Sequence, residues 1–73
     1  RGEEAVEILR DLVALAPTGP HRFMLSTQLT TMRRYKEADR ELARLFAAAK
    51  GQEDTAWFGK ARALQRDLES KRS

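Results

Sequence analysis

Apolar residues return at the spacing of one helical face in four successive segments of this 73-residue chain, and strand-like alternation survives in none of them. The first segment runs from about Glu3 to Ala16, with Ala5, Ile8, Leu9, Leu12, Val13 and Ala16 on the apolar side. Glu3 and Glu4 stand in its first turn, where acids suit the helix dipole, and Pro17, Gly19 and Pro20 end it. The second runs from about Pro20 to Met32 on Phe23, Leu25, Leu29 and Met32. Its proline is tolerated because the missing N–H would be unpaired in a first turn anyway. Arg33 and Arg34 mark a short break. The third segment opens at Tyr35, carries Ala38, Leu42, Leu45, Phe46 and Ala49, and stops near Gly51. The fourth runs from Asp54, the expected N-cap, to Ser70 on Trp57, Ala61, Leu64 and Leu68. The expectation is an all-α protein of about four helices. Connections this short make neighbouring helices antiparallel, so the chain reads as helical hairpins.

Size and chemistry narrow the function classes. A chain this short buries only about 60% of its unfolded surface and needs either staples or association to be stable. It has no cysteine, which removes disulfides and thiolate metal sites. Apolar residues at 41% and charged residues at 34% are a globular rather than a disordered balance. No apolar run approaches the roughly 20 residues that span a bilayer, and no signal peptide opens the chain. With the absence of cysteine, these features point to the cytoplasm and away from a membrane. A start at Arg1, running at once into a helical pattern, gives the expectation of a piece of a longer protein or a processed one. The net charge of +3 is mostly interleaved. The exception is the C-terminal end, where Lys60, Arg62, Arg66, Lys71 and Arg72 outnumber Asp67 and Glu69. Such an end either attracts an anionic partner or simply complements a helix C-terminus.

An internal echo separates stacked hairpins from a generic bundle. Gly2-Glu3-Glu4-Ala5 is followed by Leu9 and Leu12; thirty-three residues on, Tyr35-Lys36-Glu37-Ala38 is followed by Leu42 and Leu45. The early alanine lets two helices approach closely and the leucines fill the gap to the next hairpin. In the stretch 20–50, Leu25-Ser26, Leu29, Ala38 and Leu42 stand at the leucine–glycine, tyrosine, alanine and phenylalanine positions of the tetratricopeptide repeat. That family's period is about 34 residues. Trp57, Ala61 and Leu64 take the tryptophan, small and tyrosine positions of a following repeat. The chain thus resembles a partial tetratricopeptide array forming one domain over 1–73: the second helix of a repeat (1–17), a full helical hairpin (20–50) and a capping helix (54–70). There are departures. Arg22 replaces a bulky residue, Lys60 a leucine, and Lys50 or Gly51 the closing proline.

The resemblance implies a protein–protein interaction scaffold. First helices of such repeats line a concave groove for a peptide or a partner helix. The positions so implied are Phe23, Thr27, Thr30 and Thr31 on the second segment and Phe58, Arg62, Gln65 and Arg66 on the fourth. Hydroxyls flanked by aromatic and guanidinium groups would suit an acidic peptide with an apolar anchor. Phe23 equally fits the core, and Arg62 and Arg66 equally fit pairing with acids on neighbouring turns. The chain has no asparagine, so it lacks the lysine–asparagine clamp with which some family members hold chaperone C-termini. The first helix lacks a hairpin partner, so outer apolar positions among Val6, Leu9 and Val13 are expected to face water and to drive self-association or partner binding.

Other classes fit less well. His21 is the lone histidine and no nucleophile–base pair, phosphate loop, metal spacing or cofactor motif appears, so no enzyme activity and no cofactor are expected. The Arg33-Arg34 break imitates a helix-turn-helix, but Glu37, Asp39 and Glu41 would oppose phosphates in the recognition helix. An RNA- or DNA-binding module through the basic last helix stays as the alternative.

Overall fold

The computed structural model describes residues 2–72. Four helices fill most of that span: α1 (Gly2–Leu15), α2 (Gly19–Thr31), α3 (Tyr35–Ala48) and α4 (Ala56–Arg72). No strand occurs among the described residues. Each helix ends for a local reason. Thr18 caps α2, its side-chain oxygen accepting the His21 N–H at 3.3 Å, and Pro20 sits in the first turn, as the absent proline N–H requires. Arg33 ends α2 in the left-handed region at φ 62. The Arg34 N–H then donates to the Leu29 carbonyl and the Arg33 N–H to the Thr30 carbonyl, both at 2.9 Å. This is the paired closure of a Schellman motif, formed here without glycine. Past α3, Gly51 takes φ 87, a conformation that glycine alone adopts without penalty. α4 begins two residues later than Asp54. Thr55 stands at its N-cap, its carbonyl accepting the Gly59 N–H and its hydroxyl donating to the Gln52 carbonyl at 2.7 Å.

The molecule is a slab of 34 × 34 × 17 Å. α2 is its hub, with α1, α3 and α4 all packed on it, and α4 also rests on α3. The backbone of α1 approaches α2 alone among the described residues. Its ties to the far side are long side chains. Arg10 reaches Glu37 at 3.3 Å, and Glu3 takes Nη1 of Arg34 at 3.0 Å. The core is Val6, Leu25, Leu29, Ala38, Leu42, Leu45, Ala49, Phe58, Ala61 and Leu68, flanked by half-buried Leu9, Val13, Phe23, Met32, Tyr35, Phe46, Trp57 and Leu64. Three fully buried small residues, Ser26, Ala38 and Ala61, stand one each on α2, α3 and α4, where small side chains let helices approach closely. Ser26 is not left with an unmade bond, since its hydroxyl donates to the Arg22 carbonyl at 2.9 Å.

The packing corrects the expectation for α1. Val6 is buried and Leu9 and Val13 lie against the core. The residues facing water are Ile8, 66% exposed, and Leu15, 86% exposed. α1 is apolar around a wide arc, and its inner stripe of Val6, Leu9 and Val13 already faces α2. The outer stripe is the one left over.

Candidate partner-binding surface

Three places on this fold could meet another molecule: the outer side of α1, the open face of α2 with the neighbouring flank of α4, and a cleft where the loop between α1 and α2 meets the start of α4.

Along α2 the hydroxyls form a ladder. Thr27 donates to the Phe23 carbonyl at 2.9 Å, Thr30 to Ser26 at 2.8 Å and Thr31 to Thr27 at 3.0 Å. Each proton is used by the carbonyl four residues back, so these side chains turn lone pairs outward and keep no donor for a carboxylate. Thr27 and Thr31 are exposed, while Thr30 and Phe23 are half-buried. Met24, 49% exposed, lies on the same open side of α2 by helical period.

The α4 residues expected beside this ladder divide between two flanks. Phe58 is a core residue, edge-on to Phe46 of α3 with ring centroids 5.3 Å apart. Arg62 follows it, with its guanidinium carbon 5.3 Å from the Phe58 ring centre and 5.4 Å from that of Phe46. Arg62 is therefore held by two aromatic rings on the α3 side. Arg66, exposed, continues that flank one turn on, and Gln65 is half-buried. The flank turned to α2 is marked by Trp57, whose indole edge meets Gly19. Lys60 and Leu64 share it at helical spacing. The structure thus brings Phe23, Thr27, Thr30 and Thr31 together on α2 but turns Phe58, Arg62 and Arg66 away toward α3. Two adjacent aromatics point about 100° apart on a helix, and sequence alone did not say which faces inward.

On the α1–α3 side the charges are spent on one another. Arg34 grips Glu37 with Nε and Nη2, the latter at 2.8 Å, and places Nη1 on both oxygens of Glu3 at 3.0 and 3.1 Å. The hydrogen bond from Arg34 holds the Glu37 carboxyl below the usual carboxylate range and raises the Arg34 guanidinium in turn, against a smaller opposing effect of burial. Nearly buried Glu41 is paired to Arg44 at 2.8 Å. The Arg10 and Arg34 pairs tie α1 to the start of α3, and the Glu41–Arg44 pair lies within α3.

His21, the lone histidine, points its Nδ1 at the Ala16 carbonyl at 2.8 Å. A carbonyl can only accept, so Nδ1 carries the proton and the ring closes the loop between α1 and α2. Among the described residues no group of three or more His, Asp or Glu side chains is placed to hold a metal ion, and no helix is long and apolar enough to cross a membrane. The chain matches no family model, no curated protein and no solved structure.

Proposed function

We propose that this chain is a protein–protein interaction scaffold of tetratricopeptide-like hairpins that takes a partner helix on the outer side of α1 and presents the α2 ladder to a peptide. The observation that carries this reading is the stripe of Ile8 and Leu15, 66% and 86% exposed on a surface otherwise rich in charge. A pair of large aliphatic side chains on one face of an amphipathic helix is the docking pattern of a helix that belongs between two others. The acids Glu4, Glu7 and Asp11 on the same helix give that face a negative border and favour a partner helix with basic flanks, a second copy among the candidates.

Two further observations support the stacked reading. Leu25, Ser26, Leu29, Ala38, Leu42 and Ala61 are each at most 1% exposed. These are the positions where the resemblance calls for alternating large and small packing residues. α4 lies on α2 and α3 together, as the first helix of a following hairpin would. Toward a peptide, the outward lone pairs of Thr27 and Thr31 favour N–H donors. A nucleic-acid role has less support, because Arg62 is engaged by two rings and α1 is acidic. The test is association of the purified chain compared with Ile8→Glu/Leu15→Glu. A partner-binding stripe loses its association in the double variant while helicity is kept.

A further inference from the structure

We propose that the cleft between Arg22 and Trp57 binds a carboxylate carried on a small apolar body. The cleft has a volume of about 310 Å³, within the range of small-ligand sites. Pro20, Leu45 and Trp57 are among its apolar lining residues, and Thr18, Gln52 and Arg22 are its polar ones. Among the described residues no acidic side chain lines it.

Arg22 differs from the arginines that serve the fold. Arg10, Arg34 and Arg44 each hold a glutamate. Among the described residues Arg22 forms no ion pair, and its Nε, shielded from solvent, meets no acceptor. A carboxylate is the group that fits, because its two oxygens can take N–H groups of the two Nη atoms, which no acceptor among the described residues uses. Thr18 contributes as well. Its oxygen already accepts the His21 N–H, which leaves the hydroxyl proton to donate. The N-terminal end of α2 at the cleft favours negative charge, and the last turn of α3 at Ala48 and Ala49 opposes it. The guanidinium therefore decides the sign. The indole and aliphatic walls select an acid with a hydrocarbon or aromatic body over a bare inorganic anion. This site shares no residue with the α1 stripe or the α2 ladder and stands independently of the scaffold reading.

The chain's single tryptophan stands in the wall, so its emission reports occupancy directly. The experiment titrates the intact chain with 4-phenylbutyrate and 4-phenylbutyramide, and with acetyl-Gly-Phe bearing a free or an amidated C-terminus. Each acid that binds is expected to give a saturable change in Trp57 emission, with its amide at least about tenfold weaker. Binding of phenylbutyrate assigns the site to free small acids, and binding of the dipeptide acid alone assigns it to chain ends. Arg22→Met keeps the apolar stem without the donor fork and is expected to erase the preference for acid over amide. Should that variant lose its helicity, Arg22→Lys keeps the charge, lacks the fork and is expected to weaken acid binding. The proposal is overturned if no acid gives a saturable change up to about 10 mM. Equal binding of acid and amide, or a preference that survives loss of the fork, also overturns it.

Discussion

Gly19 and Trp57 stand so close that a Cβ on Gly19 would lie 2.2 Å from the indole Cη2, with Cζ2 and Cζ3 at 2.4 and 2.6 Å. The start of α2 and the start of α4 are thus seated on each other through a backbone that has no side chain. The indole borders the Arg22 cleft. Gly19→Ala should therefore cost about 1–2 kcal/mol net of the better helix propensity of alanine. It should also shift Trp57 emission. Urea denaturation followed by circular dichroism and fluorescence reads both effects, and an unchanged midpoint with unchanged emission would contradict this contact.

Arg33 sits at φ 62, a conformation that costs a residue with a Cβ. Its side chain is exposed, and among the described residues no hydrogen bond or ion pair uses it. Arg33→Gly should stabilise the chain by about 0.5–1 kcal/mol, the Schellman bonds to Leu29 and Thr30 remaining in place. Thermal unfolding checks the sign. A loss of stability would mean that the Arg33 side chain has a role the contacts do not reveal.

The Arg34 clasp makes stability depend on pH in a definite direction. Because the folded state lowers the Glu37 carboxyl, chiefly through the hydrogen bond from Arg34, folding favours its ionised form. That contribution is complete above the ordinary glutamate value of about 4.3 and is lost as pH falls through the lowered folded value. Glu37→Gln should melt lower than the parent at neutral pH, with the difference shrinking as the medium is acidified. Both side chains are partly exposed, so added salt should narrow the gap as well. Melts across pH 7 to about 3 test this.

α4 depends on Ala61, which is fully buried among larger core residues. Ala61→Leu should overpack that contact and cost about 1–3 kcal/mol, with loss of the Phe58 and Trp57 ring contacts before the α2–α3 hairpin melts. Tryptophan emission should change at lower denaturant than helicity does. Coincident transitions would mean that α4 and the hairpin unfold as one unit.

The helices were legible in sequence because their periodicity and punctuation are local. Pro17 to Pro20, the Arg33-Arg34 break and Gly51 all lie at the observed ends or between elements. What was not legible depends on neighbours. α1 is apolar at positions 5, 6, 8, 9, 12, 13, 14 and 15, an arc too broad for periodicity to say which part faces inward until α2 is placed. Asp54 and Thr55 are both good caps, and the Thr55 carbonyl, accepting the Gly59 N–H, marks the helix start at the second. On α4 the stack of Phe58 against Phe46 rotated Arg62 to the α3 flank, a contact between residues twelve apart in sequence that no local pattern encodes. The cleft is built from the loop after α1, the end of α3 and the start of α4. Its one local trace was Arg22, an arginine where the repeat pattern calls for a bulky apolar residue.

The measurement that tests the scaffold reading most directly is sedimentation of the purified chain from about 10 μM to about 1 mM, with helicity recorded at each concentration. The exposed stripe of Ile8 and Leu15 predicts concentration-dependent association that Ile8→Glu/Leu15→Glu abolishes without loss of helix. A fully helical monomer across the whole range, identical in parent and double variant, would contradict it.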